Sequence, residues 1–205
     1  MLSRQALWVP LVQHSPTFTD VFAKFLHNNP ITSLNVAAMG LKPEEARVAL
    51  EPDARSPGKM VVSMMAFPLR VSAAACDVTA DQQRRELTFG FATAVCDSCN
   101  SIHVIERLLP ALNPHVSVNI QSQCARSLVE GEKVVVVSTV DKLGKRLVYC
   151  KTWFLAEPTE PVPEEVVQRE KGITTVAELR AALAYYETVV TSAHVKSIMA
   201  DRKIQ

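Results

Sequence analysis

Asp97 is a carboxylate in the middle of TFGFATAVCDSCNSIHVIERLLP, residues 88–110, a segment that otherwise reads as an apolar helix with no Lys or Arg within a turn of the acid. An uncompensated charge is expensive to bury. Either a pocket lies beside Asp97 or something neutralises it. In a pocket, partial withdrawal from water raises a carboxylate's proton affinity toward the range in which it takes a proton from an attacking water. The blander reading bonds Asp97 to Ser101, one turn on, or to a backbone amide across a subunit boundary. Cys96 and Cys99 flank it at CxxC spacing, yet mid-helix, where no helix N-terminus lowers a thiol pKa, and with no second pair of ligands nearby. They are expected to be packing cysteines, and no metal is expected. His103 lies six residues beyond Asp97 and off its face, and His115 has no nucleophile-elbow Ser or Cys, so a hydrolase triad is not expected.

A helix of this kind needs a sheet to lie on. Upstream, Phe18, Val21, Phe22, Phe25 and Leu26 recur at helical spacing after Ser15 and Pro16, which predicts a short amphipathic helix ending near His27. Residues 30–57 read as loops with one edge strand near 47–50. SPGKMVVSMMAF predicts a turn and a strand covered on both faces for part of its length, which Pro68 ends or marks as an edge. Beyond the helix, HVSVNIQSQCARS, EKVVVVSTVDKL and KRLVYCKTWFLAE read as three successive strands in an antiparallel meander. The first alternates Val116, Val118 and Ile120 against Ser117, Asn119 and Gln121, and the turns at Gly131 and Gly144 each call for a positive φ. Residues 157–174, with EPTEPVPEE, read as an extended linker. Thr175 and Glu178 form a capping box, and Val176, Leu179, Leu183, Tyr186 and Val190 continue an apolar seam, which predicts a C-terminal helix over residues 175–205. That helix docks on the protein's own body or on a partner protein.

The chain has 205 residues, 48% hydrophobic and 21% charged, with a formal net charge of +1, the profile of a globular protein. Such a charge gives no long-range field for nucleic acid or an anionic membrane, and no apolar run is long enough for a membrane span. Five scattered cysteines fit a reducing intracellular compartment. Residues 1–14 are acid-poor, as a mitochondrial presequence is, although a single Arg and Pro10 fit an ordinary N-terminus equally.

Taken in order, FGFATAVCDS, VSVNIQ roughly twenty residues later and the hairpin GEKVVVVSTVDKLGKRLVYCKTWF resemble the hotdog-fold acyl-CoA thioesterases, in the branch of phenylacetyl-CoA and small mitochondrial acyl-CoA thioesterases. The similarity covers residues 57–156. It implies an α+β hotdog domain over residues 15–156, an antiparallel sheet wrapped around a long central helix, assembled as a homodimer or homotetramer, with acyl-CoA as substrate. In that branch the helix opens with His-Gly-Gly, and an Asp nine residues after the His is general base or nucleophile toward the thioester. Here the tripeptide is Thr88, Phe89, Gly90 and the acid is Asp97. The resemblance gives the Phe89 and Gly90 amides to the oxyanion and Gln82, or Gln83, to positioning the water. Ser117 matches a serine that in some members orients that water across the dimer interface. It gives Arg126, Lys142, Lys145 and Arg146 to the phosphates of coenzyme A. The loss of His-Gly-Gly leaves an alternative, a hotdog protein without catalysis that serves as a scaffold or subunit of a larger assembly.

Overall fold

In the computed structural model, which describes residues 7–38, 40–80, 83–111, 113–158 and 160–199, the apolar segment around Asp97 is one helix of twenty residues held against a seven-stranded sheet. In chain order the elements are β1 (Val9–Pro10), α1 (Leu11–His14), α2 (Phe18–Asn28), α3 (Pro30–Ala38), β2 (Arg47–Pro52), β3 (Met60–Arg70), β4 (Cys76–Val78), β5 (Arg85–Leu87), α4 (Phe89–Leu108), β6 (His115–Cys124), β7 (Lys133–Leu143), β8 (Leu147–Ala156), α5 (Glu164–Lys171), α6 (Val176–Leu183) and β9 (Thr188–Ile198). The large sheet runs β1-β2-β3-β7-β8-β9-β6, antiparallel throughout, and β4 and β5 form a small hairpin leading into α4. The wrapped sheet around a central helix is as the resemblance implied.

Two hydrophobic cores explain the sequence of the central strands. On the inner face, α4 contributes Val95, Cys96, Cys99 and Ile102 against Met65, Phe67, Val134, Val136 and Phe154, while Phe18, Phe22 and Val36 of α2 and α3 pack on the same cluster. On the outer face, Val176, Leu179, Ala182 and Leu183 of α6 pack on Ala49, Met64, Ala66, Val135, Val137 and Leu155. The run Val134–Val137 is therefore buried on both faces, which is why it does not alternate. Pro68 sits inside β3, but β2 has ended by Ala66, so at Pro68 the strand is an edge on that side and the missing N–H costs no ladder bond.

Several expectations are corrected. Residues 30–38 are helix α3, opened by Pro30 in the first-turn position where its lack of an N–H is harmless. The segment read as a linker holds helix α5 after its prolines, with Val166 and Glu170 buried. The capping box at Thr175 and Glu178 is present, yet the helix stops at Leu183 and residues 188–198 form β9. Thr188, Val189, Val190, Thr191, Val195 and Ile198 are β-branched and favour a strand. Val190, at helical spacing from Tyr186, belongs to the inner core instead. Of the two docking options expected for this helix, the protein's own body or a partner, α6 takes the first and packs on the chain's own sheet. Because β9 lies between β8 and β6, the three strands 115–124, 133–143 and 147–156 are not a simple meander: among the described residues β6 pairs with β9 alone and its other edge is free. Gly131 has φ of 85°, as its turn requires, whereas Gly144 is not among the positive-φ glycines. Of residues 1–14, read as either a presequence or an ordinary N-terminus, residues 1–6 lie outside the described residues, and Trp8 and Leu11 are buried in the folded body. Among the described residues no helix is long and apolar enough to cross a membrane.

Candidate active site

The free edge of β6 is where Asp97 emerges. Asp97 lies two turns into α4, and its side chain is 40% exposed. Its partner is Lys196, ninety-nine residues later on β9, whose Nζ donates to Asp97 Oδ1 at 2.7 Å and whose side chain is 2% exposed. Ser117 Oγ of β6 donates to the same oxygen at 2.8 Å. His194 Nε2, also on β9, lies 3.0 Å from Ser117 Oγ and 3.5 Å from Asp97 Oδ1. Every one of these contacts falls on Oδ1, which leaves Oδ2 for solvent or substrate.

A strand irregularity makes the arrangement possible. Ser117 pairs with Lys196 and Asn119 with Val195, so Val118 is an extra residue in β6. Such a bulge lets Ser117 and Ile120 both face the helix, although they are three apart. The alternation in sequence pointed Val116 and Val118 inward, but they are 49% and 60% exposed on the other side. On β9 the polarity is inverted as well. Ser192, His194 and Lys196 are buried toward α4, while Ala193 faces out.

The electrostatics differ from the expectation. Burial alone would raise the Asp97 carboxyl, but the Lys196 charge, the hydrogen bonds from Lys196 and Ser117 and the nearby His194 outweigh it, and the carboxyl is held below its ordinary range. Burial lowers the Lys196 ammonium, against the pull of Asp97. Burial, with help from Lys196, pushes His194 down to about 4. The site at neutral pH is thus an ionised carboxylate, an ammonium and a neutral imidazole. Inward from His194, the Asn100 side-chain amide lies 3.3 Å from Nδ1 on one side and 2.8 Å from Ser138 Oγ and 2.9 Å from Thr152 Oγ1 on the other.

At the start of α4, Thr88, where the resembling family has His, caps the helix by accepting from the Phe91 amide at 3.1 Å. The first three amides of a helix have no intrahelical acceptor, so those of Phe89 and Gly90 remain for another oxygen. The Phe89 side chain is 51% exposed, and a Cβ added to Gly90 would meet nothing within 4 Å, so neither crowds the helix end. A cleft of about 410 Å³ lined by Leu87, Phe89, Ala92, Cys124, Arg126, Ser127, Leu128 and Val190 opens beside them. Phe89 and Asp97 are eight residues apart, about 12 Å along the axis. The two sets of groups therefore do not meet within one chain.

The remaining expected residues divide. Gln82 lies outside the described residues, and Gln83 is exposed ahead of β5. The Arg126 guanidinium is held by Glu132 at 2.6 Å and Glu187 at 2.7 Å, two carboxylates on one cation, so it has no charge to spare for a phosphate. Lys142, Lys145 and Arg146 are exposed at the β7–β8 hairpin, at the end of the sheet where Val148 pairs with Lys196. Cys96 and Cys99 are buried, and burial pushes the Cys96 thiol up to about 12 and raises Cys99 well above its ordinary value, which suits packing and not redox exchange.

No protein-family model and no curated protein sequence matches the chain. Among solved structures it is similar to the PaaI protein of Escherichia coli, from the phenylacetic acid degradation operon, with 10% identity, 86% of this chain and 90% of that chain covered and a TM-score of 0.52. It is also similar to a hypothetical thioesterase protein from Streptococcus pneumoniae TIGR4 determined with coenzyme A, with 8% identity, 82% and 94% covered and a TM-score of 0.50. At these identities the likeness establishes the fold, the hotdog fold.

Proposed function

We propose that the protein hydrolyses acyl-CoA thioesters to a free acid and coenzyme A, with Asp97 as the base that takes a proton from the attacking water. The observation that carries this is the Asp97 carboxylate: one oxygen is fixed by Lys196 and Ser117, the other is unengaged, and the side chain is half-exposed at a free sheet edge. A thioester carbonyl is already electrophilic, so its hydrolysis needs a positioned water, a base and donors for the developing oxyanion. Lys196 keeps the carboxylate ionised and fixes which oxygen faces the substrate. The Phe89 and Gly90 amides serve as oxyanion donors, assisted by the positive end of the helix dipole. Because these amides lie about 12 Å from Asp97 of the same helix, one copy's amides act with another copy's Asp97. This makes a homodimer, or a tetramer of such dimers, the working unit. The acyl group takes the cleft between Phe89, Leu87 and Leu128, and Lys145 and Arg146, with Lys142, hold the phosphates of coenzyme A. Gln82 orients the water together with Ser117.

A thiol-release assay over acyl-CoAs of graded chain length tests the reading. Turnover that is abolished by Asp97→Asn and untouched by Cys96→Ala is the expected result. A second reading has one observation in its favour. The ion pair with Lys196 lowers the basicity of Asp97, and a hotdog subunit without catalysis would need no more than that structural pair. Absence of turnover across the whole series, in a folded oligomer that co-purifies stably with other proteins, would favour it.

A further inference from the structure

Six contacts join Asp97 to the Val62 carbonyl in one unbroken row: Asp97 Oδ1, Ser117 Oγ, His194, Asn100, Ser138 Oγ, His103 and Val62 O, the last two links at 3.1 and 3.2 Å. Each contact requires one proton between its heavy atoms. Ser117 and Ser138 bring one each, the Asn100 amide one, and each neutral imidazole one, five in all for six contacts. Both ends of the row, a carboxylate and a carbonyl, only accept. One contact must therefore set lone pair against lone pair.

Where that gap falls depends on Asn100, whose amide can be turned over with no heavy atom displaced. With Oδ1 toward Ser138 and Thr152, Ser138 spends its proton on Asn100. The gap then lies at one of the two buried contacts of His103, with Ser138 or with the Val62 carbonyl, which also accepts from Arg107 Nη1 at 2.8 Å. With Nδ2 toward Ser138 and Thr152, everything from Asn100 to Val62 is bridged. Oδ1 then accepts from His194 Nδ1, Nε2 is left as a bare lone pair, the Ser117 hydroxyl keeps its bond to Asp97, and the gap moves to His194 Nε2 and Ser117 Oγ. There Lys196 Nζ donates to Ser117 Oγ at 3.3 Å, and Ser117 is exposed. A missing hydrogen bond costs more in a sealed interior than beside an ammonium at an open edge.

We propose that Asn100 is a positioning residue: it turns its carbonyl oxygen to His194, so His194 carries its proton on Nδ1 and presents the Nε2 lone pair beside Ser117, whose hydroxyl stays on Asp97. His194 thereby becomes a second proton acceptor in the site, one hydroxyl away from the carboxylate. The inference deepens the reading of Asp97 as the site's base and rests on it for its catalytic meaning. The groups facing His194 are Asp97 and Asn100 of α4, His115 and Ser117 of β6, Cys150 of β8 and Lys196 of its own strand. Those facing His103 are Arg107, Ser138 and the Val62 carbonyl. Burial pushes both imidazoles down to about 4, so the row stays neutral, and one proton short, at neutral pH.

Side-chain proton–nitrogen correlation spectra of the full chain at neutral pH read which imidazole nitrogen carries the proton. The expected result is Nδ1–H on His194 and Nε2–H on His103. Ser138→Ala removes the group that holds the amide turned, Thr152 then donates to Oδ1, and His194 is expected to switch to Nε2–H. An Nε2–H tautomer of His194 in the wild-type protein overturns the inference, as does Nδ1–H retained in a folded Ser138→Ala. If that variant does not fold, the wild-type tautomer decides alone. Neither readout depends on turnover: an inactive protein with Nδ1–H keeps the inference and defeats the hydrolase reading, and an active one with Nε2–H does the reverse.

Discussion

Replacing Asp97 by Asn removes a charge and almost no volume, and it isolates what the ion pair does. Lys196, 2% exposed, would keep hydrogen-bonding partners but lose its counter-charge. The folded protein can relieve this by releasing the lysine proton. At pH 7 that release costs about 1.4 kcal/mol for each unit up to the ordinary lysine value near 10.4, a ceiling of about 4.6 kcal/mol. Breaking a buried pair by removing one partner costs about 3–5 kcal/mol, and the Asn amide retains some hydrogen bonding, so a loss of about 3 kcal/mol is expected. The sign of its pH dependence follows. A lysine lowered in the folded state costs stability while it is held charged, and the cost disappears as the pH rises toward the ordinary lysine value. The deficit should narrow by about 1.4 kcal/mol per unit once the proton is released. Adding Lys196→Met removes the orphaned charge and should bring the double variant within about 1 kcal/mol of wild type. Equilibrium urea unfolding of the three proteins, at neutral pH and near pH 10, measures all of this. A single variant as stable as wild type, or a deficit that neither pH nor the second substitution relieves, would refute the claim that Lys196 is what allows the acid there.

Three further outcomes follow from the same geometry. In kcat/KM against pH, wild type should hold its activity below the ordinary carboxylate range, because Asp97 is held low. Lys196→Met should move the acid limb upward, because burial is then opposed only by the Ser117 hydrogen bond and the nearby His194. Lys145→Ala with Arg146→Ala should raise KM for acyl-CoA about tenfold, while Arg126→Ala should leave KM unchanged and lower stability by about 1 kcal/mol through the carboxylates it frees. Leu179→Ala, at a fully buried α6 position on the outer core, should cost about 2–5 kcal/mol in chemical unfolding; a loss under 0.5 kcal/mol would mean that α6 does not dock on the sheet.

The long helix and the central strands were readable because their apolar periodicity or continuity reflects what they bury. α4 has buried Val95, Cys96, Cys99 and Ile102 in helical register, and the valine run of β7 is buried on both faces. The site was only half readable. Asp97 stood out as an acid in an apolar segment, but its partner sits on a strand whose polar residues face inward, a pattern that looks like nothing buried at all. The polar atoms of Lys196 and His194 are satisfied in the interior by Asp97, Ser117 and Asn100. Long-range pairing of this kind leaves no local trace, and β9 was obscured further because Val190 extends the helical spacing of α6 by chance. The inward turn of Ser117 depends on the bulge at Val118, which alternation alone pointed the wrong way.

The most direct measurement is thiol release from acyl-CoA by wild type and by the charge-balanced pair Asp97→Asn with Lys196→Met, compared under conditions where both are folded and of the same oligomeric size. The account predicts turnover in wild type and its loss by at least a hundredfold in the variant, the scale of a general base removed. Equal rates in the two proteins, or no release by wild type from any acyl-CoA, would contradict it.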